Sequence, residues 1–203
     1  MGPLGYQPHR FRALKIYTRK GDDGTTGLLY GGRVAKDSPR IDANGVVDEA
    51  QAALGLARCE AEPDGELDEL LIRLERELYV LMAEVATDTA NRHKLVAGRT
   101  LVTPEMVAAL ESDIDRLTTR FEMPKEFVVP GNGRASAALD VARTIVRRAE
   151  RLVGGLDLGD GAGPAGEAAS SVRPYLNRLS DLLWTMARWQ EGEHLSSRTG
   201  KAT

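Results

Sequence analysis

The 203-residue chain reads as an all-α protein, and three observations carry that reading. Aromatic residues make up only 5% of it, while alanine, leucine and arginine recur throughout. That balance suits helices, because strands draw on β-branched and aromatic side chains. Apolar residues also recur at helical spacing, as at Leu67, Leu70, Leu71, Leu74, Leu78, Leu81 and Val85. Helix punctuation separates these stretches: Pro63-Asp64-Gly65, Thr103-Pro104-Glu105 and Pro130-Gly131-Asn132-Gly133.

The elements follow in order. Residues 1–15 show no period and read as an N-terminal tail. Residues 16–36 form a loop built for backbone exposure, with glycine at every third position from Gly21 to Gly27. Helical patterning runs from about Asp42 to Cys59. Asp64 is expected to N-cap the next helix, from Leu67 to about Thr89. Thr103 caps a third, which carries Pro104 at its first position and runs to about Arg120. Phe127–Gly133 is a short extended piece and turn before an alanine-rich helix, Ala135 to Val153. Residues 154–170 are rich in Gly, Ala and Asp and read as a flexible connection. A last helix covers about Val172 to Trp189, and residues 191–203 are a polar tail. Five helices suggest an antiparallel bundle in one domain over residues 16–190.

Composition narrows the function. A net charge of −3 provides no global basic field for nucleic acid. Cys59 is the only cysteine, which excludes an intramolecular disulfide and a cysteine-built zinc site, and suits a reducing compartment. No apolar run approaches the roughly 20 residues of a membrane span, and the first residues lack a signal-peptide core. The expected location is the cytoplasm.

Three segments carry chemistry. On the fourth helix, Arg143, Arg147, Glu150 and Arg151 share one face at about 100° per residue. Ala138, Ala142, Ile145, Ala149, Leu152 and Val153 are expected to form its core face. Guanidiniums stacked four residues apart repel each other unless an anion lies between them. The alternative is a solvated basic face. The Gly/Thr loop favours the anion, since a polyphosphate needs backbone N–H donors, hydroxyls and bidentate cations. That loop is neither a Walker sequence, lacking Gly-Lys-Ser/Thr, nor a Rossmann fingerprint, lacking a βαβ pattern. The third segment is Tyr175–Asp181, where Leu176, Leu179, Leu183 and Met186 make a core stripe. Asn177, Asp181, Trp184 and Arg188 line its polar flank, with Asn177 and Asp181 equally suited to bracing a neighbouring helix.

Together these segments resemble the PduO-type ATP:cob(I)alamin adenosyltransferases. The stretches that carry the likeness are Tyr17–Gly27, Val47-Asp48-Glu49, Phe127–Glu150 and Tyr175–Asp181, in that order. The resemblance implies a five-helix bundle assembled as a homotrimer with intersubunit active sites. It implies that Thr18, Arg19, Lys20, Gly21, Asp22, Thr26, Gly27 and Lys36 contact ATP, joined by Arg147, Arg148, Glu150, Arg151 and Asn177. Asp48 would pair with Arg143 across the interface, so that Asp48, Arg143, Arg147 and Phe127 carry the catalysis. Phe127 would also bind cobalamin, packing beneath the corrin ring in place of the lower ligand. Magnesium would accompany the ATP phosphates, a flavoprotein reductase would supply electrons, and a mutase would use the product.

The chemistry so implied is alkyl transfer from the ribose 5′ carbon, with triphosphate as the leaving group. It needs no general base, and His9, His93 and His194 all lie outside the matched segments. Two other classes remain open on sequence alone: a non-catalytic adenosylcobalamin carrier, and a helical nucleotide hydrolase using Asp22, Asp23 and Glu150.

Overall fold

The computed structural model describes residues 16–159, 169–193 and 195–198. The expected tail over residues 1–15 lies outside them, as do residues 160–168 of the connection. Five α-helices dominate the described residues: α1 Pro39–Arg58, α2 Glu66–Val85, α3 Pro104–Thr118, α4 Arg134–Gly154 and α5 Val172–Glu191.

Helix α1 begins before the first periodic residue, because Pro39 sits where a missing N–H costs nothing. At α2 the N-cap position belongs to Gly65 rather than to the expected Asp64. Asp64 takes a left-handed conformation (φ 57°), and its N–H donates to Asp68 Oδ2 at 3.2 Å. A carboxylate one turn inside the helix thus reaches back to satisfy the entering chain. Helix α2 stops at Val85, short of Thr89, because Arg40 reaches over to take the carbonyls of Val85 (2.7 Å) and Thr87 (2.9 Å). A 3-10 helix, Thr89–Lys94, follows, with Asp88 accepting from the Ala90 N–H at 2.9 Å. Thr103 caps α3 as the sequence predicts, accepting from the Met106 N–H.

Cross-helix pairs fix the directions. Gln51 bonds Glu75 and Arg58 bonds Asp68, so α1 and α2 run antiparallel. Arg73 with Asp113 and Arg116 with Glu66 set α3 antiparallel to α2. Arg134 with Glu60 and Arg148 with Glu49 do the same for α4 on α1. Asn177 with Glu150 and Arg188 with Asp140 set α5 antiparallel to α4. The result is an up-and-down bundle with α4 lying between α1 and α5, and α5 also packing on α3.

That placement decides which face of α4 is buried. Leu139, Ala142, Val146, Ala149 and Val153 are fully enclosed, a stripe at 3-4-3-4 spacing. The sequence-based face is rotated from it: Ala138 and Ile145 are only partly buried, and Leu152 is exposed. On α5, Arg188 belongs to the core and not to the polar flank, at 3% exposure.

Three small features hold the bundle ends. The loop after residue 16 contains a hairpin, β1 Thr25–Gly27 against β2 Arg33–Ala35, and Leu29 N–H donates to Ala86 O at the end of α2. Leu156 and Leu158 bury themselves just after α4, so the described start of the connection is docked on the core. At its far end the Ser170 hydroxyl donates to the fully buried Glu84, which also takes Arg92 and the Val102 N–H. In the C-terminal segment, expected to be a polar tail, Leu195–Ser196 (β4) pairs antiparallel with Val128–Val129 (β3). No described helix is long and apolar enough to cross a membrane.

Candidate active site

The N-terminal loop is braced from within. Arg33 donates from Nη2 to the Lys20 carbonyl (2.6 Å) and from Nε to Thr25 Oγ1 (3.0 Å). Asp23 accepts from both the Thr25 hydroxyl (2.7 Å) and its N–H (2.9 Å), and those bonds hold its carboxyl below the usual carboxylate range. Thr18 Oγ1 accepts from the Lys20 N–H, and Arg19 stands in a left-handed conformation (φ 60°) with its guanidinium over the Tyr17 ring. Gly21 sits in a tight space: a Cβ there would lie 3.0 Å from Thr25 O and 3.1 Å from Lys36 Nζ. Gly21 and Lys36 are therefore brought side by side, 15 positions apart in sequence. Thr18, Arg19, Lys20, Asp22, Gly27 and Lys36 are exposed, with Gly21 and Thr26 half-buried. The loop thus presents cations, hydroxyls and N–H groups to solvent on a fixed backbone.

On α4 the basic face is open. Arg147, Arg148 and Arg151 are exposed and Arg143 is partly so. Arg148 pairs with Glu49 on α1, and Arg151 Nη1 donates to the Arg147 carbonyl at 2.9 Å. Glu150 leaves the arginines to one another and accepts instead from Asn177 Nδ2 at 2.9 Å; Asn177 Oδ1 in turn accepts from Arg178 at 2.6 Å. The resemblance implies Asp48 of a neighbour as partner to Arg143; within its own chain the Arg143 Nε lies 3.4 Å from Asp140 Oδ1, one turn back.

Asp48 is exposed on α1, at an open hollow of about 500 Å³ whose walls include Leu29, Tyr79 and Met82. Among the described residues it makes no ion pair with Arg143, so one chain does not bring these two together.

Phe127 is 85% exposed, so its ring plugs no gap at the end of the bundle. Its carbonyl accepts from the Ser197 N–H at 2.8 Å, and it lines a cleft of about 460 Å³ with Pro124, Glu126, Trp184 and Arg198. The described C-terminal residues therefore border the Phe127 cleft, through Arg198 and not through an aromatic.

Sequence reasoning missed Arg33, Thr25, Asp140 and Arg198. Arg33 and Thr25 left a faint signal, since alternate residues on either side of Tyr30-Gly31-Gly32 suit a hairpin. Asp140 left one in its spacing, three residues before Arg143 on a helix. Arg198 left none.

With this geometry in hand, comparisons with known proteins are informative. The family model described as cobalamin adenosyltransferase matches residues 16–190. A corrinoid adenosyltransferase of Citrobacter freundii is 40% identical over 177 residues, 87% of this chain and 95% of that one. The corrinoid adenosyltransferase PduO of Salmonella typhimurium is 36% identical over 180 residues; the match spans 89% of this chain but 51% of that longer protein. A phenylalanine-to-histidine variant of a PduO-type ATP:corrinoid adenosyltransferase from Lactobacillus reuteri, complexed with cobalamin and ATP, superposes with a TM-score of 0.77 at 28% identity. That superposition covers 92% of this chain and 98% of the other. Helix order, arginine face and braced Gly/Thr loop thus coincide with a match along nearly the whole described length, and the chain belongs to the cobalamin adenosyltransferase family.

Proposed function

We propose that this protein transfers the 5′-deoxyadenosyl group of ATP to the cobalt of cob(I)alamin, giving adenosylcobalamin and triphosphate. The observation that carries the reading is the open guanidinium face of α4, Arg143, Arg147 and Arg151, beside the enclosed stripe that seats the helix on α1 and α5. Exposed cations at one-turn spacing suit a departing polyanion, and the Gly/Thr loop adds backbone and hydroxyl donors. Thr18, Arg19, Lys20, Gly21, Asp22, Thr26, Gly27 and Lys36 form the loop half of the nucleotide site; Arg147, Arg148, Glu150, Arg151 and Asn177 form the helix half.

Cobalt(I) is a strong nucleophile by itself. The carbon–oxygen bond at C5′ breaks, its electron pair leaves with the triphosphate, and the cobalt pair forms the new bond to carbon. No proton moves in that step, so the protein acts by position and charge. Phe127, exposed beside its cleft, serves as the apolar floor under the corrin and keeps water and a lower ligand away from cobalt. Magnesium suits such a site as a passenger on the phosphates, since it keeps most of its waters and takes few protein ligands. Among the described residues no cluster of three or more His, Cys, Asp or Glu forms to cage it. When bound it would neutralise phosphate charge.

The complete site on this reading lies between subunits of a homotrimer. Asp48 and Arg143 are both at the surface and do not meet within a chain, which supports a pair across the interface. The apolar hollow beside Asp48, with Tyr79 64% exposed, supports burial there by a neighbour. A cytoplasmic location, a flavoprotein reductase and a mutase that takes the product complete the proposal.

The test is direct. Purified protein with chemically reduced cobalamin, ATP and magnesium is expected to develop the adenosylcobalamin spectrum and to release intact triphosphate. ADP and phosphate as primary products would instead identify a nucleotide hydrolase, and binding without turnover a carrier.

A further inference from the structure

Asp140 lies buried on α4, one turn before Arg143, and its two oxygens are divided between two arginines. Oδ1 faces Arg143 Nε at 3.4 Å, and Oδ2 accepts from Arg188 Nη2 of α5 at 2.7 Å. The Arg188 side chain is 3% exposed, with Nε 2.8 Å from Glu191 Oε2. Its guanidinium carbon also lies 5.7 Å from the centre of the Trp184 ring, a wall of the Phe127 cleft. Charges of alternating sign thus run from buried Glu191 through Arg188 and Asp140 out to Arg143.

A bundle core does not need such a chain. Buried ion pairs recover little more than their own desolvation, and apolar side chains of similar volume serve stability as well. What apolar side chains cannot do is fix the angle of a surface guanidinium. A carboxylate on Nε engages one of five donors and leaves both terminal amino groups to a second, bidentate acceptor.

We infer that Asp140 is a positioning residue for Arg143, and that Arg188 holds Asp140 in register. This rests on the reading of Arg143 as a triphosphate contact, and extends it to two buried residues that touch no substrate. Because Arg188 also stacks on Trp184, the polyanion-facing arginine and the wall of the Phe127 cleft share one buried anchor.

A double-mutant cycle tests it. Asp140→Asn, Arg143→Ala and the pair are compared for kcat with chemically reduced cobalamin, for affinity toward free tripolyphosphate, and for Tm. Asp140→Asn is expected to lower kcat by roughly 10- to 100-fold, the scale of a misplaced group. In the Arg143→Ala background the same change should cost no further activity, while Tm still falls because Arg188 loses its buried charge partner in either background. Losses in kcat that multiply across the cycle overturn the proposal, because Asp140 would then act without Arg143.

If Asp140→Asn does not fold, Arg188→Lys runs the same cycle, keeping a cation beside Asp140 but losing the fork. The tripolyphosphate arm separates this proposal from the function itself. Were the wild type to make no adenosylcobalamin, weaker tripolyphosphate binding by Asp140→Asn only when Arg143 is present would still support the positioning role. Equal binding by the wild type and Asp140→Asn would overturn it.

Discussion

Asn177 Nδ2 donates to Glu150 Oε1 at 2.9 Å, joining α5 to α4 directly beneath the arginine face. The bond answers a sequence-level question, whether Asn177 braces a helix or serves ATP, with a geometry that permits both. Its carbonyl oxygen is already taken by Arg178, and Arg178 by Glu111 on α3. Asn177→Ala should therefore cost roughly 1–2 kcal/mol, since Glu150 is left half-buried without its amide donor. That corresponds to a fall in Tm of roughly 2–8 °C. If Asn177 also holds the nucleotide, the KM for ATP should rise several-fold with little change in that for cobalamin. A lower Tm with an unchanged KM for ATP would leave Asn177 as a brace alone.

Tyr175 carries a pH prediction. Its ring is fully buried and its hydroxyl donates to Glu77 Oε2 at 2.7 Å. Burial, and then the neighbouring Glu77 carboxylate, push the phenol well above its ordinary range. An unfolded tyrosine loses its proton near pH ~10, so the folded state holds the proton longer. The stability this represents is whole below pH ~10 and is lost as pH rises beyond it toward the folded value. Tyr175→Phe should cost roughly 1–3 kcal/mol at pH 7 by leaving Glu77 short of a donor. The gap from the wild type, read from denaturant midpoints, should narrow above pH 10. A constant gap from pH 7 to 10.5 would contradict the assignment.

The sequence exposed the helices because their apolar spacing is a local property. Leu67 through Val85 repeat at helical intervals whatever they pack against, and Thr103 with Pro104 announces α3 by itself. The loop and the arginine helix were legible for a similar reason, being contiguous strings with an unusual composition. What could not be read depends on neighbours distant in sequence. Which face of α4 is buried is set by α1 and α5 together, so Leu152 turned outward and Arg188 turned in. The pairing of Val128–Val129 with Leu195–Ser196 joins two dipeptides 67 positions apart, too short to show any period. Asp64 misled because an acidic residue before a helix suits a cap, while its left-handed turn makes it a backbone donor to Asp68 and leaves α2 without a side-chain cap.

Arg147 offers the cleanest separation of chemistry from stability. It is exposed on α4, and the contact it receives, from Arg151 Nη1, goes to its carbonyl and not its side chain. Arg147→Ala should accordingly change stability by no more than about 0.5 kcal/mol. If its guanidinium meets the departing triphosphate, kcat should fall by roughly 100- to 1,000-fold, the usual loss for one donor aimed at developing charge. Arg147→Lys keeps the charge but not the fork, so an intermediate rate is expected. Rates within twofold of the wild type for both variants would place Arg147 outside the site.

Phe127 separates the cobalt end of the site from the phosphate end. Its side chain is 85% exposed while its backbone is held by the Ser197 N–H, so the ring contributes little to the core and the strand pair keeps its place. Phe127→Ala should leave Tm nearly unchanged, far from the roughly 3–5 kcal/mol that truncating a buried phenylalanine costs. Affinity for ATP should also hold, since the loop and arginine face are untouched. The loss should fall on cobalt: without an apolar floor, water or the lower ligand stays bound to Co(II), and the four-coordinate Co(II) spectrum should vanish. Turnover should then drop sharply when a protein reductant must supply the electron. It should drop less when cob(I)alamin is supplied already reduced, because reduction is the step that the floor assists. A variant that retains the four-coordinate signal and full turnover with a protein reductant would remove Phe127 from the reaction and leave its cleft without a role in it.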